Sequence, residues 1–218
     1  MTTILAVSDE IDETLYDGGA DRPRPDLVIS CGDLPFDYLE YLVTRLSVPV
    51  LYVPGNHDPD LRARGEPVYP PGPRVEAFED PPGPGGGTNV DGRIVGVKGV
   101  RVAGLGGSIR YRPGPNQYTQ AEMRRRARRL RWRAAREGAC ARGGVDVLVT
   151  HAPPRGLGDG DDPAHVGIEA LEPLVRRLEP RLLLHGHVHP YGMKQPDRLI
   201  GSTQVVNVVP SRLLELEP

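Results

Sequence analysis

Three histidines, His185, His187 and His189, fall within five residues in LLLHGHVHP, directly after a run of leucines. Imidazoles at that density suggest a metal site, but one loop cannot supply a full set of ligands. Four other apolar runs end in similar chemistry. TILAVSD closes on Asp9, DLVISCGD on Asp33, VPVLYVPGNHD on Asn56, His57 and Asp58, and VDVLVTHAP reaches His151. Runs this short, apolar on both faces, read as buried strands. Ligands at the carboxyl ends of such strands meet at one sheet edge, where open α/β sheets bind their substrates. One such ending would be an ordinary turn residue; five are hard to attribute to chance. Carboxylates, an amide oxygen and imidazoles suit borderline divalent ions such as manganese, iron or zinc. No thiolate takes part, which argues against a structural zinc knot. Six protein ligands are more than one catalytic ion needs, so two ions sharing a bridging carboxylate is the economical arrangement.

The elements that must position these residues follow from the pattern. Between the strands come helical periodicities over 38–46 and 167–179, and strands alternating with helices predict an α/β fold with much parallel pairing. The stretches 91–108 and 198–209 are strand-like without helices and should pair antiparallel. Residues 59–89, rich in Pro and Gly, read as one long surface loop. Thr119 to Glu122, TQAE, is a capping box. It opens a helix over 119–137 whose apolar stripe is Met123, Ala127, Leu130 and Ala134, with eight arginines on most other positions. A solvated face is the favoured reading of those arginines over a nucleic-acid surface.

The bulk properties bound the rest. At 218 residues the chain is long enough to bury a core as a single domain spanning 1–218. A net charge of -2 gives no global pull toward nucleic acid or membrane. Two cysteines, Cys31 and Cys140, cannot make a disulfide framework, and Cys31 in its apolar run is expected in the core. The N-terminus lacks a basic n-region, and no run approaches the ~20 apolar residues a membrane span needs. A soluble, cytoplasmic protein is expected.

Taken in order, Asp9, GD at 32–33, GNHD at 55–58, TH at 150–151 and GHVH at 186–189 resemble the motifs of the calcineurin-like metallophosphoesterase superfamily. GLGGSIRY and THAPP are similar to an uncharacterised bacterial branch of it. The resemblance implies a four-layer α-β-β-α sandwich of two mixed sheets. It implies a metal-dependent phosphoesterase that hydrolyses a phosphomonoester or phosphodiester by attack of a metal-activated water. Carried over residue by residue, Asp33 bridges two ions, Asp9 and His189 join it on the first, and Asn56, His151 and His187 complete the second. His57 is then the general acid, oriented by Asp58.

Two departures qualify the resemblance. The family's first motif is Asp-x-His, and Ile11 stands here where the histidine belongs. The first ion should therefore bind more weakly, unless Asp12, Glu13 or Asp17 compensates. GDLPFDY also lacks the family's GDxxDRG continuation, which argues against protein-phosphatase specificity. His165, in GDGDDPAHVG, and Arg110, Tyr111 and Arg112, in SIRYR, are candidates for a substrate-binding rim. His185 reads as a strand-end residue. A small phosphodiester or nucleotide is the preferred substrate, since the chain has no room for a second recognition domain. The rivals are a non-catalytic scaffold with a degenerate first site and a nuclease using the arginine-rich helix.

Overall fold

The computed structural model describes residues 1–16, 23–61, 83–138, 144–192 and 195–217. Five strands form the first sheet. β1 (Thr2–Val7), β2 (Leu27–Ser30), β3 (Val50–Tyr52) and β4 (Gly87–Asn89) run parallel, and β13 (Ser211–Leu216) lies antiparallel on the outer side of β1. The second sheet has six strands, in the order β11 (Arg198–Ile200), β12 (Thr203–Asn207), β10 (Leu182–His185), β9 (Val147–Thr150), β6 (Val100–Leu105) and β5 (Ile94–Val97). Its centre is parallel, and each edge is an antiparallel hairpin, as expected from 91–108 and 198–209.

The period-2 alternation along each strand builds the layers. Ile4, Ala6, Leu27, Ile29, Leu51 and Val53 of the first sheet share a core cluster with Val102, Val147, Val149, Leu182, Leu184 and Val206 of the second. The two sheets therefore pack face to face. Leu5, Val7 and Val28, pointing the other way, meet Tyr38, Leu39 and Leu42 of α1 (Phe36–Leu46). On the far side, Ala103, Leu148 and Leu183 pack under α2 (Gln120–Arg136) and α3 (Leu171–Leu178). The result is the four-layer α-β-β-α sandwich.

Local signals account for the helices. Glu122 Oε2 accepts from Thr119 N at 2.7 Å while Thr119 Oγ1 accepts from Glu122 N at 3.2 Å, the reciprocal capping box. Met123, Ala127, Leu130 and Ala134 are buried as the stripe predicts. The arginines are not uniformly solvated. Arg126 grips both oxygens of Asp91, donates to Gly106 O at 2.7 Å and stacks over Tyr118 at 4.0 Å. With both side chains only 11% exposed, this pair clamps α2 to the loops beside β6.

Two expectations need correction. The loop predicted over 59–89 ends earlier, because Gly87–Asn89 is an edge strand paired with β3. Residues 62–82 of it, like Cys140, lie outside the described residues. The helix predicted over 167–179 is shorter: Ile168 is used instead in a bridge to Pro154 and in backbone bonds to Pro153 and Arg155, while Gly167 N donates to Asp159 Oδ2 and its carbonyl accepts from Gln120 Nε2.

Candidate metal centre

The two sheets end side by side, and each contributes different chemistry. The first delivers Asp9 after β1, Asp33 after β2 and Asn56 after β3; the second delivers His151 after β9, and His187 and His189 after β10. Tight turns aim them. Asp9 (φ 61°), Asp33 (φ 56°) and His187 (φ 66°) all sit in the left-handed region, at a cost on the order of 1–2 kcal/mol each. Such strain persists where the surroundings over-determine it, which is commonest at functional sites. Two glycines make the turns possible. A Cβ on Gly55 would stand 2.1 Å from Asp33 Oδ1, and one on Gly186 would stand 2.1 Å from Asp9 Oδ2.

The hydrogen bonds around the histidines fix which ring nitrogen carries the proton. His151 Nδ1 donates to Cys31 O at 2.8 Å, so in the neutral ring Nε2 presents a lone pair. His187 Nε2 donates to Ala164 O at 2.7 Å, leaving Nδ1 as the lone pair. His189 Nδ1 donates to Glu10 Oε1 at 2.6 Å, leaving Nε2. These are the outer partners that metal-binding histidines ordinarily have. Around His151 Nε2 stand Asn56 Oδ1 at 2.9 Å, His187 Nδ1 at 3.1 Å and Asp33 Oδ2 at 3.2 Å. Four electron pairs thus converge with no hydrogen between them when both imidazoles are neutral. A cation resolves that crowding, so the residues fit a divalent ion.

The carboxylates point the same way. Asp9 Oδ2 accepts from Ser8 Oγ at 2.6 Å and His187 N at 2.9 Å, while Oδ1 faces His189 Nε2 at 4.0 Å. Asp33 Oδ1 accepts from His57 N at 2.8 Å, and Oδ2 turns to His151. Asp9, Asp33 and His151 can offer ligand atoms within 4.8 Å of one another. Burial opposes charge on His151, yet the Asp33 and Asp9 carboxylates outweigh it and raise the imidazole to about 9. Asp33 is lowered to about 2, the same pairing overcoming its own desolvation. Burial and the neighbouring His151 lower His187 to about 3, and burial lowers His185, at the end of β10, to about 4.

The calcineurin-like phosphoesterase model matches residues 8–191, which includes every one of these side chains. The chain belongs to the calcineurin-like phosphoesterase family. One solved structure aligns with a TM-score of 0.60 at 18% identity, covering 94% of this chain and 90% of its own. TT1561 of Thermus thermophilus aligns with a TM-score of 0.53 at 17% identity, covering 94% and 88%. At these identities they speak for the fold. No curated protein sequence matches the chain. Membership in this family implies metal-dependent phosphoester hydrolysis. Among the described residues no helix is long and apolar enough to cross a membrane.

A cleft of ≈ 240 Å³ opens beside these side chains, lined by Asp9, Asp33, His57, Tyr111, His165, His187 and His189. Of the expected rim, Tyr111 and His165 are in it. Arg110 is not. Its guanidinium is committed to Gln117 O at 3.2 Å and Glu122 Oε2 at 3.3 Å, beside the α2 cap. Arg112, the third candidate of SIRYR, does reach the site, 3.3 Å from His57 Nδ1, so that nitrogen accepts and the ring's proton resides on Nε2. Asp58 also differs from expectation. Its Oδ2 accepts from Gly55 N at 2.7 Å and Asp33 N at 3.1 Å, bracing the turn rather than the His57 ring. Asp12 does not replace the missing histidine: it caps the short 3-10 turn Glu13–Leu15, accepts from Thr14 N at 3.1 Å and takes the Ser211 hydroxyl. Glu13 is exposed on that turn, and Asp17 lies outside the described residues.

Two contributors carry no signal in the sequence: Glu10 beside His189, and Asn116, whose Nδ2 donates to Asp58 O at 3.2 Å. Arg112, a rim candidate from SIRYR, has the additional place of partner to His57.

Proposed function

We infer that the protein hydrolyses a small phosphodiester or nucleotide-like phosphomonoester in this cleft. Two divalent ions would be held there, the first by Asp9, Asp33 and His189, the second by Asp33, Asn56, His151 and His187. When bound, such ions supply a water activated at neutral pH and neutralise charge on the phosphoryl oxygens. The observation that carries the reading is the set of three histidines with tautomers fixed by Cys31 O, Ala164 O and Glu10, each leaving one lone pair.

The chain's own groups complete the chemistry. Asn56 is turned by its amide nitrogen, 3.4 Å from Tyr111 Oη, so that its oxygen faces His151. His57 is exposed at the mouth, and with Arg112 on Nδ1 its Nε2–H is the one available to a substrate. That geometry suits protonation of a leaving alkoxide. Arg112 adds a cation at the same mouth, placed to steady a phosphoryl oxygen. A cleft of ≈ 240 Å³ suits a phosphate with a small substituent.

The test is a panel of phosphomonoesters, cyclic and linear phosphodiesters and nucleotides, assayed with added manganese against a chelator-stripped control. Manganese-dependent turnover of small esters is expected, abolished by Asp33→Asn. Tight metal binding without turnover of any ester would replace this reading with a non-catalytic scaffold.

A further inference from the structure

The family's first metal site here lacks its histidine, because Ile11 has no lone pair; it is 40% exposed and does not line the cleft. The residue just before it behaves differently. Glu10 Oε1 stands 2.6 Å from His189 Nδ1 across a sequence separation of 179. The left-handed turn at Asp9 makes this contact possible by sending Asp9 inward and Glu10 across to the β10 loop. Glu10 accepts the Nδ1 proton, so His189 Nε2 is left with its lone pair facing Asp9 Oδ1 at 4.0 Å. That separation is one a single ion can span, with each bond about 2.0–2.2 Å. Asp9 Oδ1 is free to take part because Ser8 Oγ and His187 N both occupy Oδ2.

We propose that Glu10 is the positioning residue of the first metal site, holding His189 in the ligating tautomer and orientation and so offsetting the nitrogen ligand that Ile11 removes. The carboxylate also makes the imidazole a stronger electron-pair donor and adds negative charge beside a cation. Outer partners of this kind are worth about 10–100-fold in metal affinity. The second ion owes nothing to Glu10, since His151 and His187 are fixed by backbone carbonyls. The inference rests on the two-ion reading of the cleft and concerns the first ion alone.

The experiment is a manganese titration of the chelator-stripped protein by calorimetry, with electron paramagnetic resonance to detect a coupled manganese pair. The unmodified protein should bind two ions in a tight and a weaker step. Glu10→Ala should weaken the weaker step by about 10–100-fold, leave the tight step unchanged and move the coupled-pair signal to higher manganese. Glu10→Gln, which can still accept the Nδ1 proton, should recover part of that loss. Ile11→Ala removes no lone pair and should change neither step, whereas Ile11→His should tighten the weaker one. Because the Glu10 side chain is 49% exposed, these variants should fold, which melting curves would check. An unchanged weaker step in Glu10→Ala would overturn the proposal, as would an equal loss in Ile11→Ala or a Glu10→Gln as weak as Glu10→Ala. If the unmodified protein binds no manganese at all, it is the two-ion reading of the cleft that fails.

Discussion

Removing the metal should place a proton where the second ion would bind. His151 already donates Nδ1–H to Cys31 O. A second proton on Nε2 would find Asn56 Oδ1, His187 Nδ1 and Asp33 Oδ2 between 2.9 and 3.2 Å away, one donor among three acceptors. The electrostatics agree: His151 is raised to about 9, Asp33 lowered to about 2, and His187 lowered to about 3 and so neutral. An ion entering at these atoms must expel that proton, so binding should release about one proton below pH 9. Apparent affinity should then rise about tenfold per pH unit up to about pH 9, leaving binding at pH 7 about 100-fold, or roughly 3 kcal/mol, weaker than its limit. Calorimetric manganese titrations at pH 6.5, 7.5 and 8.5, in buffers of different protonation enthalpy, measure both quantities. The sign for stability also follows. The raised His151 contributes below its ordinary 6.5, and that contribution disappears as pH climbs through about 9. Asp33 contributes above its ordinary 3.8, and its share goes as pH falls through about 2. The stripped protein should therefore lose Tm between pH 7 and pH 9. Flat affinity over that range, with no net proton released, would refute the account.

His57→Ala should keep its metal yet lose turnover by roughly 10²–10⁴-fold on alkyl phosphoesters, and far less on p-nitrophenyl esters, whose leaving group barely needs a proton. Equal losses on both would remove His57 from proton donation. Along α2, replacing Arg125, Arg128 and Arg129 together with Gln should leave kcat and KM for small esters unchanged. A rise in KM confined to oligonucleotides, with strong salt dependence, would instead mark a nucleic-acid surface. Arg126→Ala belongs to another class, because it leaves the Asp91 carboxylate buried without its clamp. It should cost about 3 kcal/mol, read as a lowered denaturation midpoint.

Much of the fold was legible because buried strands announce themselves: TILAV, LVIS and VLVT are almost wholly apolar, and both faces of each are indeed covered. β4 escaped notice because Gly87, Thr88 and Asn89 bury little and are held by backbone bonds to β3, which leave no trace in residue type. The same reason hides the partners of His151 and His187, since any residue can present the carbonyl that Cys31 and Ala164 supply. Eight arginines on one helix look alike in sequence, and only the placement of Asp91 across the fold singles out Arg126. Arg110 and Arg112 are two residues apart, yet Arg110 turns to the α2 cap and Arg112 to His57 at the mouth of the cleft. The pairing of β7 (Ser108–Ile109) with β8 (Gln117–Tyr118) decides which does which.

The division of ligands between the sheets has a mechanical consequence. Carboxylates and the amide come from the first sheet, imidazoles from the second, and among the described residues no covalent crosslink sets the distance between them. What sets it is the core in which Ile29 and Val53 meet Val147, Val149 and Leu184. Two polar bonds then lock the edge across the sheets: His187 N to Asp9 Oδ2, and His151 Nδ1 to Cys31 O. Interiors packed this densely transmit strain instead of absorbing it. The sandwich is therefore part of the candidate metal centre, because the spacing of its two sheets sets the spacing of the candidate ligands.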